Sequence, residues 1–186
     1  MSLTQVDATP ALLVIDLQKG ITGLATVHPA ADVIARAAEL ASSFRKHGFP
    51  VVLVNVSGRA PGRTDAGTPK FTFLPDWTEL VPELEQQSSD YVVTKQRPGA
   101  FIGTSLQEIL QLRGVTQVFL AGIATSAGVE ATARSAYDLG YHVVLVIDAM
   151  TDRDGDMHRH CLEKIFPRIG ESATAEAVVR ALELLQ

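Results

Sequence analysis

Residues 11–17 read ALLVIDL. An unbroken apolar run this short suits a strand buried on both faces, and it ends on a carboxylate, Asp16. Four further runs share its character: VVLVNV at 51–56, YVVT at 91–94, QVFLA at 117–121 and HVVLVI at 142–147. Between them lie stretches with apolar residues at helical spacing. One covers 30–47 and stops at Gly48; others cover 103–113, closed by Gly114, 126–139, ended by Gly140, and about 174–185. Continuously apolar strands alternating with helices predict right-handed βαβ units. The expected fold is α/β: a three-layer α/β/α sandwich with a mainly parallel, Rossmann-like central sheet, in one domain over 1–186. Residues 57–90 break the pattern with scattered glycines and prolines and little periodicity. A lid or an oligomer contact is expected there.

Composition narrows the function. The chain has 186 residues, 46% hydrophobic and 20% charged, with net charge −5. Its mean hydropathy of +0.15 suggests surface buried in a homo-oligomer. No basic stripe is present, so nucleic acid and anionic membrane are unexpected partners. The sole cysteine, Cys161, excludes an internal disulfide and a cysteine-based zinc site, and reads as a small buried hydrophobe. Residues 1–10 lack a basic segment leading into an apolar stretch, and no run approaches the about 18 apolar residues of a membrane span. The cytoplasm is the expected compartment.

Ligands of open α/β sheets bind at the carboxyl ends of strands. The first run delivers Asp16 and Gln18 there, the second Asn55 and Ser57, the third Lys95 and Arg97, and the fifth Asp148. A carboxylate after LLVI is costly to bury unpaired, and Lys95 is its natural partner. The pair is either a proton-handling site or an ion pair that closes the sheet edge. Residues 122–128, GIATSAG, run from strand into helix. Their backbone N–H groups suit an anion, or simply a tight turn capped by Thr125 or Ser126. Arg97 is the best candidate of Arg59, Arg63 and Arg97 for a substrate carboxylate. Phe101 and Trp77 are either pocket walls or core.

At these residues the chain resembles the isochorismatase-like hydrolases of the cysteine hydrolase superfamily. The resemblance rests on ALLVIDLQKG, VVTKQRPGAF and FLAGIATSAGVEATARSAYDLGYHVVLVIDAM, in the family's order and spacing. It implies an Asp–Lys–Cys triad whose first members are Asp16 and Lys95. It also implies a cis peptide at Ile123–Ala124, shaping an oxyanion hole. The nucleophile's position holds Gly128, which offers no covalent chemistry. Isochorismatases proper resemble this pattern, with glycine there. Their Asp protonates a vinyl-ether carbon, water adds to the oxocarbenium ion, and pyruvate leaves. They carry an aromatic residue where this chain has Ala124. Metal-dependent relatives place Asp and His after the second strand, where this chain has Ser57, Gly58, Arg59 and Arg63, so no metal and no cofactor is expected.

The expected site is therefore Asp16, Lys95 and Gly128, with Gln18, Asn55, Arg97, Phe101, Ile123, Ala124 and Thr125 contacting a small-molecule substrate. Two rival readings stand beside it. One is a serine hydrolase using Ser126, Asp148 and His158 in a loose nucleophile-elbow pattern. The other is a binding protein that kept the fold without the chemistry. Asp152, Asp154, Asp156, His158 and Glu163 also match a calcium-loop spacing, but Met157 stands where that loop needs glycine, so a helix-capping loop is the better reading.

Overall fold

The computed structural model describes residues 3–65, 67 and 75–185. Six strands form one sheet: β1 (Pro10–Ile15), β2 (Val51–Val56), β3 (Tyr91–Lys95), β4 (Gln117–Ile123), β5 (His142–Thr151) and β6 (Glu171–Ala173). Every pairing is parallel, and the spatial order is β3-β2-β1-β4-β5-β6. The chain winds outward from β1 to β3, then returns to lay β4 against the other edge of β1. That reversal makes the β1/β4 junction a topological switch point, where doubly wound sheets open a crevice.

Side-chain alternation on the strands divides the apolar residues between two layers. On one face Leu12, Val14, Leu53 and Phe119 pack against Leu40 and Phe44 of α2 (Ala30–Lys46). The same layer takes Val178 and Leu182 of the carboxyl-terminal helix (Ala175–Glu183). On the other face Leu13, Ile15, Val52, Val54 and Leu120 meet Leu106 and Leu110 of one helix (Leu106–Leu112). Ala133 and Ala136 of a second (Glu130–Asp138) complete that layer. These are α3 and α4; α1 is the single turn Lys19–Thr22, α5 is Gly155–His160 and α6 is Ala175–Glu183. Each fully buried Leu, Val or Phe contributes about 1.5–3 kcal/mol, so the sandwich rests on these two layers. Among the described residues no helix is long and apolar enough to cross a membrane.

The differences from the expected elements have local causes. α3 starts at Leu106 rather than 103, because the Thr104 hydroxyl accepts the Leu106 amide at 3.2 Å and closes a turn first. The stretch expected as a helix from 126 opens with a π-type turn, Thr125–Val129, before α4. β5 runs on to Thr151 because a register shift between Leu120 and Gly122 lets it bulge and re-pair with β4. Asp148 thus lies within the strand, where it accepts the Ala175 amide at the start of α6 (2.8 Å) and sits 3.3 Å from Arg36. β6 and α1 have no counterpart among the expected elements, while α5 is the helix that the aspartate-rich loop was expected to cap.

Candidate functional site

β1 ends at Ile15, and Asp16 turns out of the strand with φ 53. This left-handed conformation is unusual for a side-chain-bearing residue, though Asp tolerates it better than most. It breaks the alternation and sends the carboxylate sideways. Lys95, at the end of β3, reaches across the intervening β2, and its Nζ lies 2.8 Å from Asp16 Oδ2. The Lys95 side chain is 2% exposed and that of Asp16 is 8%. Nζ also donates to the Pro98 carbonyl at 2.7 Å. An ammonium has three N–H groups, so one is uncommitted among the described residues. Asp16 Oδ1 is buried without a hydrogen-bond partner among the described residues. Burial pushes the Asp16 carboxyl up to about 6, against the opposing pull of Lys95.

Gly128 closes the third side. A Cβ built on it would lie 2.9 Å from Ile15 Cγ2, 3.0 Å from Asp16 Oδ2 and 3.3 Å from Lys95 Nζ. The carboxylate and ammonium therefore lean into the space a side chain would need. Gly128→Ala is expected to cost about 1–3 kcal/mol of stability, the usual penalty of overpacking, since Ile15 is fully buried and has little room to move. Urea unfolding measures this, and an unchanged midpoint would contradict so close an approach.

A cleft of about 490 Å3 opens above these residues. Ile21, Leu24, Val56 and Ile123 give it apolar walls; Asp16, Lys95, Arg97, Ala124 and Gly128 line it, as do Arg59 and Arg153. The Ile123–Ala124 peptide is cis. Gly58, Gly62 and Gly67 also line the cleft, so the described part of the 57–90 segment borders it. Residues 66 and 68–74, part of the expected lid or oligomer contact, lie outside the described residues.

Four expected substrate contacts lie outside the lining of this cleft. Gln18 is fully buried, and its amide clamps the backbone: Nε2 donates to the Val56 and Trp77 carbonyls, and Oε1 accepts the Val56 N–H at 2.7 Å. Asn55 shares a strand face with Leu53 rather than with the cleft, and donates to the Thr78 carbonyl at 2.9 Å. Phe101 is core, 7% exposed and stacked on Tyr141. Thr125 is fully buried, with its hydroxyl 2.8 Å from His158 Nδ1. Strand-end position suggested Gln18, Asn55 and Thr125, but side-chain direction there depends on the turn taken by each end; for Phe101 the core alternative is the one the structure shows. Trp77 packs over Gly20, whose Cβ would lie 2.7 Å from the indole, and Arg63 is exposed.

The serine triad is not assembled. His158 bonds Thr125 instead of Ser126, and Asp148 is spent on α6 and Arg36. The three aspartates of the calcium-loop pattern are likewise engaged. Asp152 accepts the amides of Ser126 and Arg153 at 2.7 Å, Asp154 caps α5 at Asp156 and Met157, and Asp156 pairs with Arg159. No group of three or more potential metal ligands occurs among the described residues. Cys161 is buried and donates to Glu130, and burial pushes its thiol up to about 12, far from a reactive thiolate. Arg153, Ile21 and Leu24 were not anticipated. The first follows a strand extension hidden by a bulge, and the other two carry no polar signal.

The sequence and the fold both have close counterparts. The description of the Isochorismatase domain matches residues 10–177. The chain is 41% identical over 173 residues to the isochorismatase family protein YwoC of Bacillus subtilis (strain 168), covering 89% of this chain and 90% of that one. It is 32% identical over 187 residues to maleamate amidohydrolase of Pseudomonas putida, covering 95% and 88%. The structure of an isochorismatase family protein from Burkholderia thailandensis superposes with a TM-score of 0.94 at 42% identity, over 98% of this chain and 100% of that one.

Proposed function

Since this chain belongs to the isochorismatase family and is a hydrolase, we propose that it cleaves a small polar molecule by proton transfer at Asp16, with water as the nucleophile and no covalent enzyme intermediate. The observation that carries this reading is the Asp16 carboxyl. It is buried, pushed up to about 6, and has an unpartnered oxygen in a cleft whose adjoining position, Gly128, supplies no nucleophile. A carboxylic acid that keeps its proton near neutral pH is suited to donating it.

The bond chemistry this favours is vinyl-ether hydrolysis. Asp16 gives its proton to the terminal alkene carbon. The resulting oxocarbenium ion takes water, and the hemiketal collapses to a ketone and an alcohol. Lys95 holds the carboxylate left behind, so the negative charge formed on Asp16 has a cation at 2.8 Å. Arg97 is half-buried and has no ion-pair or hydrogen-bond partner among the described residues, so it is free to hold an anionic group of the substrate. One acidic and four basic residues line the cleft of a chain whose net charge is −5, which supports an anionic ligand. Ile123 and Ala124 contribute backbone and apolar wall.

The pH profile separates this from amide hydrolysis, the reaction named for the Pseudomonas putida relative. An acid must be protonated, so kcat/KM for vinyl-ether cleavage should fall as pH rises through about 6. A base activating water would give the opposite slope. Isochorismate is the vinyl-ether probe and maleamate the amide probe. In D2O the released pyruvate should carry one deuterium in its methyl group. Release of ammonia from maleamate with a rate rising above pH 6 would replace the acid reading. Ligand-induced thermal stabilisation without turnover of either probe would favour a binding protein.

A further inference from the structure

Behind the cleft, on the far side of the turn that carries Gly128, lies a polar cluster that the proposed chemistry does not use. His158 is 7% exposed on α5, and its Nδ1 lies 2.8 Å from the hydroxyl of the fully buried Thr125. The next residue, Ser126, donates its amide to Asp152 Oδ2 at 2.7 Å. Asp152 is itself 4% exposed, and its other oxygen accepts the Arg153 amide at 2.7 Å. Its carbonyl takes the Val27 amide at 2.8 Å. The His28 ring meets the His158 ring edge-on, centroids 5.2 Å apart. Two chain segments, 151–154 and 155–160, thus meet two consecutive residues of the turn, and the segment at 26–28 packs behind them.

That turn is π-type and follows directly on the cleft-lining Ala124, which offers it no capping side chain. Its own bonds run from the Ala127 and Val129 amides to the Ala124 carbonyl and from the Thr132 hydroxyl to the Gly128 carbonyl, so the Thr125 side chain and the Ser126 amide are held from outside it. Its fourth residue, Gly128, is the one whose Cβ would touch both Asp16 and Lys95. A displacement of the turn by even a fraction of an ångström therefore changes the space around the carboxyl. Errors of about 1 Å in such placement cost enzymes on the order of 100-fold in rate.

We propose that His158 is a positioning residue of the hydrolytic site: through the Thr125 hydroxyl, and beside Asp152 on the adjoining amide, it fixes the Ala124–Gly128 turn against Asp16 and Lys95. The inference rests on the function proposed above only for its kinetic consequences; the geometric claim stands apart from it. The ring works in its neutral form. Burial first, then the neighbouring His28, lowers its tendency to take a proton, while Asp152 opposes them. A protonated ring has no acceptor at Nδ1, so it can only donate to Thr125. We take Nδ1 as the acceptor of the Thr125 hydroxyl in the neutral ring, so acidification below the ordinary histidine value of 6.5 reverses that hydrogen bond and disturbs the turn.

The test uses the full chain, with pyruvate release from isochorismate as the kinetic probe and backbone amide NMR as a probe that needs no turnover. Thr125→Val and His158→Ala should each lower kcat about 10-fold with KM within 2-fold, and the double variant should lose no more than the worse single one. His158→Gln keeps a neutral hydrogen-bonding group, so it should retain most activity and lose the acid-side fall in kcat/KM. In the spectrum, the amides of Thr125 and Ser126 should carry an acid-side transition in the wild type that His158→Gln removes, while the transition of Asp16 persists at Gly128 in both. Multiplying losses, or an acid limb that survives His158→Gln, would overturn the proposal. Shifts confined to α5 would overturn it even if isochorismate were not a substrate.

Discussion

Asp16→Asn should lower kcat by roughly 10²–10⁴-fold, the usual contribution of a positioned acid or base, while KM changes little. The substitution keeps the shape of the carboxyl and removes its transferable proton. It also leaves Lys95 facing a neutral group, as the protonated carboxyl does, so above pH 6 the variant should unfold at no lower urea than the wild type. Circular dichroism of the variant checks that it is folded. Turnover within a few-fold of the wild type would end the acid–base reading. A second signature lies in stability against pH. The folded chain holds the Asp16 proton more tightly than the unfolded chain, whose value is near 3.8. Ionising Asp16 therefore removes stability as pH rises from about 4 to about 6, by an amount on the order of 3 kcal/mol. The Asn variant should lack that slope.

Gly122→Ala should be the most disruptive single-methyl change in the molecule. A Cβ there would stand 2.0 Å from the Ile15 carbonyl oxygen and 2.7 Å from the Ile15 amide nitrogen. Both obstacles are backbone of the central strand, paired in register with Gly122 itself. The residue's φ of +125 adds strain that side-chain-bearing residues rarely accept. We expect a loss of more than about 4 kcal/mol, in the range where mutant chains fail to fold. Soluble yield and the urea midpoint give the measurement. A variant as stable as the wild type would show that β1 and β4 do not pair in this register, and with it would go the placement of Gly128 beside Asp16.

The sheet was readable from the sequence because its inner strands, β1 and β4 above all, are buried on both faces. That condition writes itself as unbroken apolar runs such as 11–15 and 143–147. Asp16 and Lys95 were readable for the same reason, since a charge at the end of such a run demands a partner, and the two stand 2.8 Å apart. What escaped was governed by backbone turns that carry no compositional mark. The φ of Asp16 swings its carboxyl out of the alternation, so Gln18, two residues on, faces Val56 and Trp77 rather than the cleft. The bulge in β5 hid that Asp148 lies inside a strand and that Asp152 and Arg153 lie at its true end. β6 has three residues and no apolar run to betray it. The His158–Thr125 contact joins residues 33 positions apart and depends on tertiary placement alone.

The strand order has a consequence for the chain during synthesis. β1 emerges first, yet its two neighbours arrive far apart in time: β2 at 51–56 and β4 only at 117–123. Until residue 123 has left the ribosome, one edge of the most apolar strand has no native partner, and such an edge is a template for pairing with other chains. Gly122 and the turn beyond it close that edge in the same stroke that brings Gly128 to Asp16. The nascent chain is therefore without its site for as long as it is exposed to aggregation, and acquires the one when it escapes the other.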